Sequence, residues 1–133
     1  MFKNKNILVA GGTGTIGTQV VQQLLKKNAN VTVVSMDEEK YARKVLGTDI
    51  MFKKYDLTNR DNCKKVVKNQ DMVFNLVGIK GSVGIGETKV ASYLVSMLRF
   101  QTNLMEASFF EGIKKFLFVG SVCSYPQSNI HYE

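Results

Sequence analysis

Four glycines fall within positions 11–17 of the segment VAGGTGTIGTQVVQQLL, Val9 to Leu25. Glycine loses more backbone entropy on folding than any other residue and is poor filler for a helix or strand, so this density implies a demand on the backbone itself. Gly11, Gly14 and Gly17 have the spacing GxxGxxG, with Gly12 in addition, and they lie between an apolar run and an amphipathic one. A strand, a tight turn and a helix in that order can hold a pyrophosphate. The turn keeps side chains away from the phosphates, and Gly17 lets the helix cross close to the sheet. The first helical residues, Thr15 and Ile16, bring N–H groups and a partial positive charge. The rival phosphate motif GxxxxGK[ST] is absent, because no Lys-Ser or Lys-Thr comes after the turn, and this disfavours an ATPase.

Further polar or glycine residues stand where strands are expected to end. Asp56 and Leu57, in YDLTN, come after a third apolar run; there a carboxylate can accept from an adenine amino group, or cap a turn or helix. NLVG, comprising Asn75, Leu76, Val77 and Gly78, ends a fourth run with a glycine over which a cofactor could pass. Ser121 ends a fifth, where it would face the same crevice or cap a turn.

The elements that must position these residues alternate along the chain. Short strands are expected at Ile7 to Ala10, Val31 to Val34, Ile50 to Leu57, Asp71 to Gly78 and Lys114 to Ser121. Between them, Ile16, Val20, Val21, Leu24 and Leu25 mark one face of a first helix, and DEEKYARKVLG reads as a second with acids in its first turn and Gly47 after its end. TNRDNCKKVVKN suggests a third, with Thr58 and Asp61 as a capping box and Cys63, Val66 and Val67 on one face. The fourth and longest is expected from about Thr88 to Glu111. Its stripe would contain Val90, Leu94, Met97, Leu98, Gln101, Leu104, Met105 and Ser108. Strictly alternating strands and helices imply an α/β fold, a doubly wound parallel sheet with strand order 3-2-1-4-5 and right-handed crossovers. Its ligand site would lie at the carboxyl ends of strands 1 and 4.

Composition narrows the function classes. With 133 residues, one domain is expected. There is no apolar run long enough to span a bilayer and no signal-peptide pattern, which points to a cytoplasmic protein without a membrane partner. Two cysteines, Cys63 and Cys123, with a single His131 support neither a disulfide framework nor a zinc site. The net charge of +7 fits anionic ligands such as dinucleotides, sugar nucleotides or nucleic acid, or simply a solvated surface. The basic residues include scattered lysine pairs, at 26 and 27, 53 and 54, 64 and 65, and 114 and 115. No nucleic-acid motif or concentrated basic helix accompanies them, so no nucleic-acid partner is expected.

Taken in order, Gly11, Gly14 and Gly17, then Asp56-Leu57, then NLVG, then FVGSVCSYP resemble the extended short-chain dehydrogenases that act on nucleotide sugars, a family of NAD-dependent epimerases and dehydratases with a Rossmann fold. The resemblance covers essentially the whole chain. GSVCSYP and the loop VGIKGSVGIG are most similar to the GDP-L-fucose synthase group within that family. The resemblance implies that Ser121 hydrogen-bonds the sugar at the carbon undergoing redox chemistry. It also implies that Cys123 takes part in epimerisation proton transfers, although a small buried hydrophobe fits that position equally well. A thiol suits the proton-transfer role because its pKa, about 8.5, falls near positive charge. Lys80 would lie near the nicotinamide or substrate phosphates, or be solvated.

The chain also departs from the family pattern. No YxxxK pair occurs after Ser121; Tyr125 belongs to the strand motif and Tyr132 has no lysine four residues on. Ser96 stands where the family has an asparagine on its long helix. At the end of the second strand, NAD enzymes commonly place an acid on the ribose hydroxyls. Here Ser35 occupies that spot and Asp37 lies two residues further, with Lys40 and Arg43 nearby, and the balance favours NADP over NAD. The leading expectation is the NAD(P)-binding portion of a nucleotide-sugar epimerase, dehydratase or reductase, truncated before the later strands and the substrate domain and inactive alone. The alternative is a non-catalytic NAD(P)-sensing module. The fifth strand would be an unprotected edge, and self-association is expected through it or the adjacent helix face.

Overall fold

The computed structural model describes residues 1–79 and 90–120. A five-stranded parallel sheet has the order β3-β2-β1-β4-β5, as expected from the sequence. β1 (Asn6–Ala10) is central, flanked by β2 (Asn30–Ser35) and β4 (Met72–Asn75); β3 (Met51–Lys54) and β5 (Lys115–Phe118) lie outside them. In register, Ala10 is opposite Val34 on one side and Asn75 on the other, so the ends of three strands meet at one edge.

The run Ile7-Leu8-Val9-Ala10 is apolar throughout because helices cover both faces of the sheet, and all four residues are fully buried. Successive side chains point to opposite faces. Ile7 and Val9 pack with Val21 and Leu24 of α1 (Thr15–Lys26) and Leu46 of α2 (Glu39–Leu46). Leu8 and Ala10 pack with Cys63 and Val66 of α3 (Arg60–Val67) and Phe100 and Leu104 of α4 (Val90–Phe110).

Three local expectations are corrected. Ile16 does not join the core face of α1; it is 59% exposed, and Gly17, Val21 and Leu24 form the buried line. The α3 cap is Asn59 rather than Thr58, its side chain accepting from the Asp61 and Asn62 amides at 2.9 and 3.3 Å. Asp61 instead pairs with Lys64, whose hydrogen bond and charge hold its carboxyl below the ordinary range. The stripe expected on α4 is only partly the buried one: Leu104 and Ser108 are buried as expected and Met97 packs against the core. The buried residues of the helix are Phe100, Leu104, Ala107 and Ser108, whereas Val90, Leu94, Leu98 and Met105 are exposed. Ser108 can be buried because its hydroxyl donates to the Leu104 carbonyl at 2.7 Å.

Candidate dinucleotide site

The turn from β1 into α1 is where the glycines are indispensable. Gly11 has φ +77°, and a Cβ there would lie 2.9 Å from the Leu76 carbonyl oxygen. At Gly17 a Cβ would lie 2.2 Å from the Gly11 carbonyl oxygen and 2.7 Å from the Gly12 Cα, so the helix rests directly on the loop backbone. Gly12, which the GxxGxxG spacing leaves out, is also needed: a Cβ would meet Val33 at 2.8 Å. Gly14 is the α1 N-cap and supplies no side-chain acceptor, so the first-turn amides of Thr15, Ile16 and Gly17 are not capped by it.

Beside this loop lies a cleft of about 320 Å³ at the carboxyl ends of β1, β2 and β4. Gly11, Thr13 and Gly14 line it from the loop, Ser35, Met36 and Asp37 from the end of β2, and Leu76, Val77 and Gly78 from the end of β4. Thr13 and Met36 were not legible as site residues. Thr13 is only 7% exposed despite its place in a loop. Its hydroxyl lies 2.6 Å from Asp37 Oδ2 and 2.8 Å from Ser35 Oγ, while Ser35 Oγ lies 3.0 Å from the same Asp37 oxygen. The Asp37 amide closes the cluster by donating to Ser35 Oγ at 3.0 Å.

The other expected residues divide into four groups. Thr15 and Ile16, exposed at the start of α1, are not in the cleft lining. Asn75 and Gly17 sit beneath the cleft rather than in its wall; Asn75 is 2% exposed, and its Oδ1 accepts from the Val77 amide at 3.3 Å. Its buried Nδ2 has no hydrogen-bond partner among the described residues. Asp56 and Leu57 are not in the cleft lining. Leu57 is buried in the α3–α4 core. Asp56 Oδ1 accepts from the Thr58 amide and hydroxyl, both at 2.8 Å, which is the turn-capping alternative. Lys80, Ser121 and Cys123 lie outside the described residues, as do Tyr125 and Tyr132.

A second cavity, about 430 Å³, shares the Leu76–Gly78 wall and continues between α4 and β5, lined there by Leu94, Met97, Leu98, Gln101, Phe118 and Val119. The β4 end therefore separates a cleft of mixed polarity from a mainly apolar one. A Cβ at Gly78 would meet nothing within 4 Å among the described residues, so the space over it is open there. Among the described residues, no group of three or more His, Cys, Asp or Glu could hold a metal ion, and no helix is long and apolar enough to cross a membrane.

The model of the NAD dependent epimerase/dehydratase family matches residues 7–132. The chain belongs to this family. Among curated relatives of this epimerase/dehydratase chain, GDP-mannose 3,5-epimerase 1 of Oryza sativa subsp. indica is 28% identical over 124 residues, covering 91% of this chain and 32% of that protein. GDP-L-fucose synthase of Sinorhizobium fredii is 26% identical over 129 residues, covering 96% and 36% respectively. The chain thus spans about a third of the length of the curated relatives it matches. Among solved structures, UDP-N-acetylglucosamine 4-epimerase from Methanobrevibacter ruminantium M1, in complex with UDP-N-acetylmuramic acid, superposes with a TM-score of 0.79 at 26% identity. That match covers 96% of this chain and 41% of the other.

Proposed function

We propose that this chain is the dinucleotide-binding portion of a nucleotide-sugar epimerase, dehydratase or reductase, and that its cofactor is NAD(H). The cleft at the ends of β1, β2 and β4 carries this reading, since it combines a glycine turn closed to side chains with a carboxylate at its rim. In this reading the pyrophosphate lies over Gly11 to Gly14 against the amides of Thr15 and Ile16, and the adenosine ribose reaches Ser35 and Asp37. The wall from Leu76 to Gly78 separates adenosine from nicotinamide. Bound there, the dinucleotide would supply hydride exchange.

The preference for NAD over NADP rests on charge. Asp37 lines the cleft, whereas Arg43 is engaged by Glu39 through its Nε and Nη2, at 2.9 and 2.5 Å. A 2′-phosphate would face a carboxylate at close range, a repulsion of about 1–3 kcal/mol in a partly solvated site. This reverses the balance that Ser35, Lys40 and Arg43 suggest in the bare sequence.

The GDP-sugar relatives support a nucleotide sugar, a GDP-hexose in particular, as the substrate class. Ser121 would orient the sugar, Cys123 would take part in proton transfer and Lys80 would approach the phosphates. A non-catalytic, dinucleotide-sensing module is kept as the second reading. Self-association belongs to the proposal too: Leu94, Leu98, Leu117 and Phe118 are exposed on α4 and β5, and a second copy would cover them. Thermal shift with NADH tests the main reading. A saturable rise in Tm at submillimolar NADH is expected, and no shift up to millimolar concentration would overturn it. Steady NADH production or consumption with a GDP-hexose would remove the sensing alternative.

A further inference from the structure

Thr13 lies in the glycine turn, yet its side chain is buried and ends on an acid just beyond the end of β2. We infer that Thr13, with Ser35, is a positioning residue that locks the Asp37 carboxylate in the orientation that selects a ribose diol and rejects a 2′-phosphate. This rests on the dinucleotide reading above and names the device that sets its specificity.

Counting protons fixes the direction of the hydrogen bonds. A carboxylate only accepts, and each hydroxyl has one proton to give. Asp37 Oδ2 lies 2.6 Å from Thr13 Oγ1 and 3.0 Å from Ser35 Oγ, so both hydroxyls can donate to the same oxygen. Ser35 Oγ in turn accepts the Asp37 amide at 3.0 Å, which fixes the backbone of the acid as well as its side chain. Hydrogen bonds to an ionised acceptor are the short, strong kind, and the 2.6 Å contact belongs to that class.

The contact joins residues 24 positions apart, across two strands. A second tie runs parallel to it, the Gly11 amide donating to the Val34 carbonyl at 2.9 Å. The phosphate turn and the end of β2 are therefore fixed to one another before any ligand arrives, and a ligand held at both places loses less freedom in binding. The same restraint gives selectivity. An acid on a free side chain can swing aside for a phosphate, whereas one anchored through Oδ2 cannot.

Isothermal titration of the full chain with NADH and with NADPH tests this in wild type, Thr13→Val, Thr13→Ser and Asp37→Ala. Thr13→Val should weaken NADH about tenfold while leaving NADPH unchanged or tighter, so that the ratio of the two affinities collapses. Thr13→Ser, which keeps the hydroxyl, should restore the ratio. In the Asp37→Ala background, adding Thr13→Val should have no further effect on NADH, because the residue acts through the acid. Equal weakening of both cofactors, or an undiminished Thr13→Val effect without Asp37, would overturn the positioning role and leave the cofactor site standing. Failure of wild type to bind either dinucleotide would overturn both.

Discussion

The two halves of the carboxyl edge of the sheet are built differently. At the β1–β2 side everything touches: Gly17 and Gly12 have no room for a Cβ, and Thr13, Ser35 and Asp37 form one hydrogen-bonded cluster. At the β4–β5 side the space over Gly78 is open, and Leu94, Leu98, Leu117, Phe118 and Val119 are all exposed. The contrast separates two kinds of glycine and two kinds of apolar residue. Gly17 is glycine because the fold leaves no alternative. Gly78 has no neighbour within 4 Å of an added Cβ among the described residues, which leaves room for a ligand to pass over the backbone. Apolar residues on the first side fill a core, and those on the second are available to another surface.

Substitution at Gly17 should break this comparison most severely. Gly17→Ala places a methyl group 2.2 Å from a carbonyl oxygen, and separating α1 from the loop should cost about 3 kcal/mol or more, with Tm lowered on the order of 10 °C. Differential scanning calorimetry reads this directly; a Tm within about 2–3 °C of wild type, roughly a kilocalorie, would show that the turn is loose.

Alkaline pH sharpens where the packed side ends. Cys63 is fully buried between Leu57 and α4, and its thiol donates to the Leu57 carbonyl at 3.2 Å. Burial, with the Asp56 charge adding to it, pushes the thiol from its ordinary 9.0 up to about 12. The folded state therefore keeps its proton after the unfolded thiol has lost it. This contribution to stability is complete below pH 9 and falls as pH rises towards 12, and denaturant midpoints between those values should decline accordingly. A Cys63→Ala variant should show a shallower decline. An equally steep one would assign the alkaline loss to other groups.

Gly78→Ala should have the opposite profile to Gly17→Ala. With nothing within 4 Å of the added methyl among the described residues, Tm should hardly change, yet NADH should bind several-fold more weakly because the methyl enters the cleft. Unchanged affinity would place the dinucleotide elsewhere. The smallest effect on stability is expected from Leu98→Lys, under about 0.5 kcal/mol for an exposed position. Sedimentation should nonetheless report a shift towards monomer at micromolar concentration. A wild-type chain already monomeric there would remove the self-association reading.

Periodicity and local chemistry account for the parts of the molecule that were legible in the sequence. Fully apolar runs such as Ile7 to Ala10, short and bounded by Asn6 and glycine, suit strands covered on both faces, and their alternation with helices suits the observed doubly wound sheet. The glycine turn was legible because its spacing is a backbone demand. Thr13 was not, since its partner lies 24 residues away and nothing local marks it. The α4 stripe was only partly legible, in Leu104 and Ser108, because the helix carries apolar residues around more than one face and hydrophobicity does not say which face meets the core. Asp56 shows a similar ambiguity: one carboxylate can serve an adenine or a turn, and here it accepts from Thr58.

Backbone amide shifts mapped during titration with NADH test the dinucleotide cleft most directly. Saturable perturbations are expected at Gly11 to Gly17, Ser35 to Asp37 and Leu76 to Gly78, with the α3–α4 groove around Arg60 and Lys64 unaffected. Perturbations confined to that groove, or none at millimolar NADH, would contradict a cofactor site at the ends of β1, β2 and β4.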